Sequence, residues 1–427
     1  MIEALYRHFL AYPKISTDTR KIEKDSIFFA LKGPNFNANQ FALQALEAGA
    51  AMAVVDDPTL PKNDRLFLVK DVLEALQQLA QQHRDQLSIP VLALTGSNGK
   101  TTTKELIHSV LSEKFRTLAT KGNLNNHIGV PLTLLEINAN HEFAIIEMGA
   151  NHQKEIEALC TIAHPTCGLI TNIGKAHIEG FGGEEGIKKG KGELFDYLKS
   201  QQGKLFVNGD SSVLMEMAEH ADRLVYGSKA DFFVQGKNLG ADPFLKLEWI
   251  ENNQSLFITT QLIGKYNFDN AMAAIAIGKY FGLTREQIKH GLEKYLPENN
   301  RSQIVKKGTN VLIMDAYNAN PSSMKVALEN FAEMQAGNKR FIIGDMLELG
   351  DASEKEHWNI VSLTEELNLN GIFVGPIFGN LPEIKNKVHF ATTDEAMLYL
   401  KSNPIENTHI LVKGSRGMKL ERLSEVL

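Results

Sequence analysis

Residues 91–111 constrain this chain more tightly than any other stretch. An apolar run, Val91-Leu92-Ala93-Leu94-Thr95, leads into Gly96-Ser97-Asn98-Gly99-Lys100-Thr101-Thr102 and then into a helical pattern with Leu106, Ile107, Val110 and Leu111 on one face. A buried strand, a glycine loop and a helix in that order leave backbone N–H groups pointing out of the turn, and the helix N-terminus adds partial positive charge. Phosphate groups bind such a turn. Lys100 is placed to reach β- and γ-phosphates and Thr101 to hold Mg²⁺. The usual pattern has a further glycine six residues before the lysine, where Leu94 stands here, so the strand–loop–helix context carries the reading. The bland alternative is a glycine turn beside a surface lysine, which needs no buried strand.

The flanking sequence supplies the sheet this loop requires. VLALT (91–95), FAIIE (143–147), GLITN (168–172) and KLFVN (204–208) are short apolar strands separated by helical segments, which implies a parallel sheet covered on both faces. Asp231–Thr260 reads as an antiparallel flap, and Tyr266–Phe281 as a helix packing Ala271, Ala274 and Ile275. After a turn at 297–300 the alternation resumes with VLIMD (311–315), FIIGD (341–345), GIFVG (371–375) and HILVKG (409–414). Before Ile89, helices over 2–10 and 41–49, strands over 26–31 and 51–55, and a helix capped by Asp71 with Val72, Leu73, Leu76 and Leu79 inward describe a smaller α/β unit. The polar stretch 81–88 reads as a linker. The predicted class is α/β in three units: a small α/β unit over 1–86, a central P-loop ATPase-like parallel sheet over 87–298, and a Rossmann-like doubly wound unit over 299–427. A chain of 427 residues accommodates that number.

Composition narrows the function. With 43% hydrophobic and 22% charged residues the chain can build several cores. Its net charge of −6 argues against general binding to nucleic acid or anionic membranes. Cys160 and Cys167 are too few for a disulfide framework and lack zinc-site spacing; they are expected reduced and half-buried beside a strand. Glu3, Arg7 and His8 interrupt the first apolar stretch, so it does not read as a signal peptide. No apolar run approaches the roughly 18 residues of a membrane span, and the expected location is the cytoplasm.

Ligands of open parallel sheets bind beyond the carboxyl ends of the strands. Glu147 and Asn172 end two of the predicted strands, and His177 follows the second. Glu147 and His177 could share a metal ion, or be an ordinary strand-end carboxylate and a loop histidine. Lys191 falls on the apolar stripe of a helix over 184–199, beside Ile187, Leu194, Phe195 and Leu198, with Gly190 and Gly192 on either side. It either snorkels or meets something that approaches closely. Lys121-Gly122-Asn123-Leu124-Asn125-Asn126 is an amide-rich loop, suited to a polar substrate or to asparagine-stabilised turns.

Together these strings resemble the Mur ligases, ATP-dependent amide-forming enzymes of peptidoglycan precursor synthesis, from about Ser16 to the C-terminus. The marks are TGSNGKTTTKE (95–105), TKGNLNNHIGVP (120–131), EMGAN (147–151), TNIGKAHIEGFG (171–182), GKGELF (190–195) and GKYNFDNAMAA (264–274). DAYNANPSSM (315–324), GDMLELG (344–350) and LVKGSRGM (411–418) are similar to the subgroup acting on UDP-N-acetylmuramoyl-tripeptide and D-alanyl-D-alanine, and the Asp-Asn-Pro-Arg string of the third-residue-adding ligases does not occur. Folylpolyglutamate synthetases share the central motif but not the NANPSSM string. A P-loop motor or switch, and a nucleotide-binding regulator without chemistry, are the readings from other classes.

The resemblance implies roles. Gly96, Ser97, Asn98, Gly99, Lys100, Thr101 and Thr102 would cradle the triphosphate of ATP. Thr101, Glu147 and His177 would serve Mg²⁺, and Lys191 would be the lysine that becomes carbamylated in this family. Asn267 and Asn270 would lie near adenine and ribose, Arg301 would reach the γ-phosphate and Asp315 the ribose. Lys413 and Arg416 would face the reaction from the third unit, with Asn318 and Asn320 of the NANPSSM string and Lys121, Asn123, Asn125 and Asn126 of the amide loop as further substrate contacts. Asp18-Thr19-Arg20 stands where Asp-Ser-Arg is usual in the uridine-nucleotide-binding unit, and Asn37-Ala38-Asn39 where many members have Asp-Gly-His. A monomer without nucleic-acid or membrane partners is implied, working through an acyl phosphate whose amine acceptor displaces phosphate.

Overall fold

The computed structural model describes residues 1–175, 177–298 and 300–427. Asn299, in the turn predicted at 297–300, and Ala176, in the TNIGKAHIEGFG string, lie outside the described residues.

The first 85 residues build a four-stranded parallel sheet in which Ser26–Phe29 and Met52–Val55 are central and Lys14–Ser16 and Leu66–Leu68 are the edges. The two central strands are buried throughout, as their apolar runs over 27–29 and 52–55 require. Asp71 caps the helix Val72–Asp85 by accepting from the Glu74 N–H at 2.8 Å. That helix overturns the predicted linker: residues 81–85 are its last turn, and His83 and Arg84 are buried. Their polarity satisfies backbone carbonyls of the central unit rather than solvent.

The central sheet has nine strands. Val91–Thr95 sits between Phe143–Glu147 and Cys167–Ile170, all parallel, and Thr117–Ala119 forms the edge beyond Phe143–Glu147. On the other side Lys204–Asn208, Arg223–Gly227 and Val234–Ala241 continue in parallel. Phe244–Glu251 and Gln254–Ile263 then pair antiparallel. The predicted flap is therefore an extension of the sheet, with Leu245, Leu247, Trp249 and Ile258 buried against the helix Phe268–Tyr280. Chain order reverses around Val91–Thr95, which makes the crevice beyond its carboxyl end a switch point. Cys160 and Cys167 are buried outright, on the helix Glu155–Ala163 and at the start of a strand, rather than half-buried; burial pushes both thiols up, Cys167 to about 12.

The third unit is a six-stranded sheet in the order Gln303–Lys307, Asn310–Asp315, His409–Lys413, Lys339–Gly344, Asn370–Val374, Val388–Phe390, parallel except at the first pair. Met324, Leu328, Ile360 and Val361 pack on one face and Ala396, Leu400, Leu420 and Leu423 on the other, so the sheet is doubly wound as predicted. No helix among the described residues is long and apolar enough to cross a membrane.

Candidate active site

The loop after Val91–Thr95 turns because two residues lack side chains. Gly96 (φ +144°) would drive a Cβ to 2.0 Å from Thr171 Oγ1, and Gly99 (φ +76°) would bring one to 2.8 Å from Asn270 Oδ1. The neighbouring strand end locks the loop. Asn98 N donates to Asn172 Oδ1 (2.9 Å), the Asn98 carbonyl accepts from Thr171 Oγ1 (2.6 Å) and Asn172 Nδ2 (3.0 Å), and Ser97 Oγ donates to the Gly174 carbonyl (2.8 Å). Lys100 opens the helix Lys100–Leu111 and donates from Nζ to the carbonyls of Gly96 (2.6 Å) and Ser97 (3.3 Å). Burial, then the Arg301 charge, holds Lys100 below its ordinary range, partly offset by Glu147. Thr102 lines the same cavity.

Below the loop, Thr101 Oγ1 donates to Glu147 Oε1 (3.2 Å), and Asn125 Nδ2 donates to the same oxygen (2.8 Å). Glu147 is 1% exposed, and its Oε2 has no hydrogen-bond partner among the described residues. A buried carboxylate oxygen without a donor is costly, and beside a hydroxyl and a phosphate loop it fits a divalent cation. No three His, Cys, Asp or Glu side chains gather as a metal cluster among the described residues; a cation here would draw on Thr101, Glu147 and phosphate oxygens. Lys191 lies on the buried stripe of the helix Glu184–Ser200, is 1% exposed, donates to the Ala150 carbonyl (2.9 Å) and sits 4.8 Å from the centre of the Phe181 ring. Burial first, then Lys100, lowers its pKa well below the ordinary value. Such a setting favours the neutral amine over the ammonium.

The third unit closes the cavity from above. Asn320 Nδ2 donates to Asn98 Oδ1 (2.7 Å), and Asn98 Nδ2 to Ser322 Oγ (3.3 Å), so the helix Pro321–Glu333 begins against the phosphate loop. Asp315 pairs with Lys413 at 2.6 Å, and Lys413 also donates to the Asn318 carbonyl (3.2 Å). Arg301 stacks 3.6 Å from the Tyr317 ring centre; Arg416 donates to Tyr317 Oη (3.0 Å). His177 Nδ1 meets Glu348 Oε2 at 2.5 Å across the junction. The resulting cavity, about 1680 Å³, is lined by Asn98, Lys100, Glu147, Arg301, Asp315 and Glu348 among others.

Most predicted residues therefore converge. Asn123, Asn125, Asn126, Asn267, Asn270, Asn318, Asn320, Lys413 and Arg416 all line this space. Asn270, on the helix Phe268–Tyr280, packs against Gly99 of the phosphate loop and accepts from the Thr103 hydroxyl at 2.9 Å. Three predictions fall elsewhere. Lys191 stands behind the cavity wall, held on the Ala150 carbonyl. Lys121 points outward to Glu136 at 2.5 Å. Asp18 and Arg20 pair with each other on the surface of the first unit, next to Thr19. The sequence reading missed Tyr317, Leu347 and Glu348; the GDMLELG string was visible, but not that its loop faces His177.

Comparison with known proteins fits this geometry. A family profile described as the Mur ligase middle domain matches residues 94–278, and one described as Mur ligase, glutamate ligase domain, matches 300–416. The UDP-N-acetylmuramoyl-tripeptide--D-alanyl-D-alanine ligase of Bacillus subtilis is 38% identical over 427 residues, covering 96% of this chain and 92% of that protein. The Escherichia coli protein of the same name is 34% identical over 430 residues, covering 97% and 93%. A crystal structure of MurF from Acinetobacter baumannii superposes with a TM-score of 0.87 at 33% identity, covering 96% of this chain and 92% of that one. The fold is also that of Thermotoga maritima MurF in complex with ADP (TM-score 0.85, 24% identity, 98% and 97% covered).

Proposed function

The chain belongs to the Mur ligase family, and from that premise we propose that it joins D-alanyl-D-alanine to UDP-N-acetylmuramoyl-tripeptide, converting ATP to ADP and phosphate. The observation that carries the reading is one cavity in which the phosphate loop, Glu147 and the third unit's strings around Asp315, Asn320 and Glu348 face one another.

A carboxylate is a poor acyl donor because its leaving oxygen is too basic. In the proposed reaction a tripeptide carboxylate oxygen attacks the γ-phosphorus, the bond to ADP breaks, and an acyl phosphate forms. The dipeptide amine, having lost a proton, attacks the acyl carbon; the tetrahedral adduct gives up a second nitrogen proton to solvent and collapses, so that phosphate leaves and an amide remains. Phosphoryl transfer asks mainly for positioning and charge neutralisation, which Lys100 and Arg301 supply. Thr101 and Glu147 would hold Mg²⁺, with His177 and a carbamylated Lys191 for a second ion, and the cation would neutralise phosphate charge. The neutral amine of Lys191 is the form that adds carbon dioxide. Asn267 and Asn270 belong with the nucleoside in this assignment. Asn123, Asn125, Asn126 and Arg416 face the peptides, and Asp18, Thr19 and Arg20 serve the uridine nucleotide.

We divide the chain at 1–86, 87–298 and 299–427, and place the reaction in the cytoplasm, where ATP is available, in a monomer, since one chain supplies every group named. Phosphate release with Mg²⁺ and ATP that requires both the tripeptide nucleotide and D-alanyl-D-alanine, with a product heavier by the dipeptide less water, supports the assignment. Turnover indifferent to both substrates sinks it. Bicarbonate depletion lowers the rate and bicarbonate restores it where Lys191 is carbamylated; an unchanged rate argues against that modification.

A further inference from the structure

We propose that Glu348 and Leu347 form the docking point for the amine acceptor, the Glu348 carboxylate receiving its ammonium group and Leu347 its first side-chain methyl. The proposal rests on the ligase reading and adds two residues to it.

The loop that carries them leaves the carboxyl end of the strand Lys339–Gly344, where parallel sheets present ligand-binding groups. It is braced from beneath. Met346 N donates to His357 Nε2 (3.0 Å), and His357 Nδ1 lies 2.7 Å from the Ser353 carbonyl; His357 is fully buried. Leu347 N donates to Ser415 Oγ (2.9 Å). The Asp345 carboxylate, 1% exposed, accepts from Ile377 N (2.9 Å) and Phe378 N (3.0 Å). On this rigid base Glu348 takes φ +65°, a left-handed conformation that favours glycine. It meets a second non-glycine residue in that region, His177 at φ +54°. Strain of this kind persists where the surroundings over-determine it, and it clusters at ligand clamps.

Charge then selects the ligand. Lys100, Arg301 and Arg416 suit phosphates and carboxylates, but an ammonium needs a carboxylate. Of the two carboxylates that the third unit turns into the cavity, Asp315 is neutralised by Lys413. Glu348 meets His177 through Oε2 and is 60% exposed, and its Oε1 has no donor among the described residues. Beside it Leu347 is 42% exposed. A Cβ on Gly417 would stand 3.0 Å from Leu347 Cδ1, which places Leu347 against the residue that follows Arg416 in the chain. The same cavity wall thus holds a carboxylate, an apolar side chain and a guanidinium. A zwitterionic dipeptide with small apolar side chains presents the complementary groups: ammonium, methyl and carboxylate.

The test uses the full-length enzyme, and wild-type turnover with D-alanyl-D-alanine is measured first; its absence sinks the ligase reading itself. Given turnover, Glu348→Gln is expected to raise KM for the dipeptide about 10- to 100-fold, the range for a hydrogen bond to a charged group, while KM for ATP and for the tripeptide nucleotide stays within about twofold. N-acetyl-D-alanyl-D-alanine, which lacks the ammonium, should inhibit the wild type far more weakly than the dipeptide binds, and Glu348→Gln should narrow that gap. Leu347→Ala, on an exposed position, should reduce the preference for D-alanyl-D-alanine over glycylglycine. An unchanged dipeptide KM in Glu348→Gln, or equal rises for all three substrates, overturns the proposal and leaves Glu348 a partner of His177 only.

Discussion

The two junctions between the three units are built from opposite materials. Between the first and central units one apolar core runs without interruption from Leu5 and Phe9 through Leu76 and Leu79 to Val130, Leu134 and Leu159. Its buried polar members are satisfied: Arg84 donates to the carbonyls of Ala163, His164 and Leu87, and His83 meets the Ile137 carbonyl at 2.7 Å; nearer the surface Gln77 donates to the His127 carbonyl. Between the central and third units the contacts are amides and ion pairs: Asn98 with Asn320, His177 with Glu348, Lys175 with Glu356, Lys265 with Glu333. Among the described residues, Ile263 and Ile178 are the central side chains that join the third unit's core. An apolar joint resists separation in proportion to its buried area, whereas exposed ion pairs contribute about 0–1 kcal/mol each and are screened by salt. The fused joint makes the first two units one platform. The polar joint, where the cavity lies, is the one expected to part and reclose around substrates.

Substitutions should separate the two junctions cleanly. The largest expected effect is on chemistry at the polar joint: Lys100→Ala should cost about 10²–10³ in kcat with an unchanged melting temperature, and a large drop in Tm would instead make Lys100 a structural residue. At the fused joint Arg84→Ala should do the reverse. It leaves three carbonyls without their buried donor, so stability in urea should fall by about 3 kcal/mol, while KM values of the folded enzyme hold. A fall below about 0.5 kcal/mol would mean that water replaces the guanidinium and that the joint is looser than its packing implies.

A smaller effect is expected from pH. Burial holds His83 below its ordinary value of 6.5. As pH falls through 6.5 the unfolded chain takes up a proton that the folded chain refuses, so stability is present above that value and declines below it until the folded ring titrates. His83→Gln should flatten this decline; an identical pH profile in the variant would remove His83 from the account. The smallest effect concerns salt. Raising NaCl from 0.05 to 0.5 M should expand the protein in solution scattering by opening the polar joint, and a non-hydrolysable ATP analogue with the tripeptide nucleotide should reverse it. Dimensions indifferent to both would show the third unit as firmly fixed as the first.

How far the sequence carried depended on whether a feature was local. The loop at Gly96–Lys100, the Asp71 cap and the alternation of buried strands with helices are set by neighbours in the chain, and they are found where periodicity and turn chemistry put them. The linker over 81–88 failed because Arg84 and His83 look solvent-bound in sequence, although buried carbonyls from the central unit await them. Over 231–260 the expected antiparallel pairing is present, but the sequence did not show that these strands join the edge of the central sheet instead of standing apart as a flap.

By itself the sequence determined a chain of three α/β units, a phosphate loop in the second, and the residue types that the chemistry needs. Strand, loop and helix preferences act over a few residues, so they can be read in order along the chain. Tertiary structure alone decided that Glu147 keeps one buried oxygen without a partner among the described residues, that Lys191 lies in a setting that disfavours its charge, and that Glu348 meets His177 across a polar joint. Each of these depends on the desolvation and charge created when segments distant in the chain pack together, and no local pattern encodes that environment.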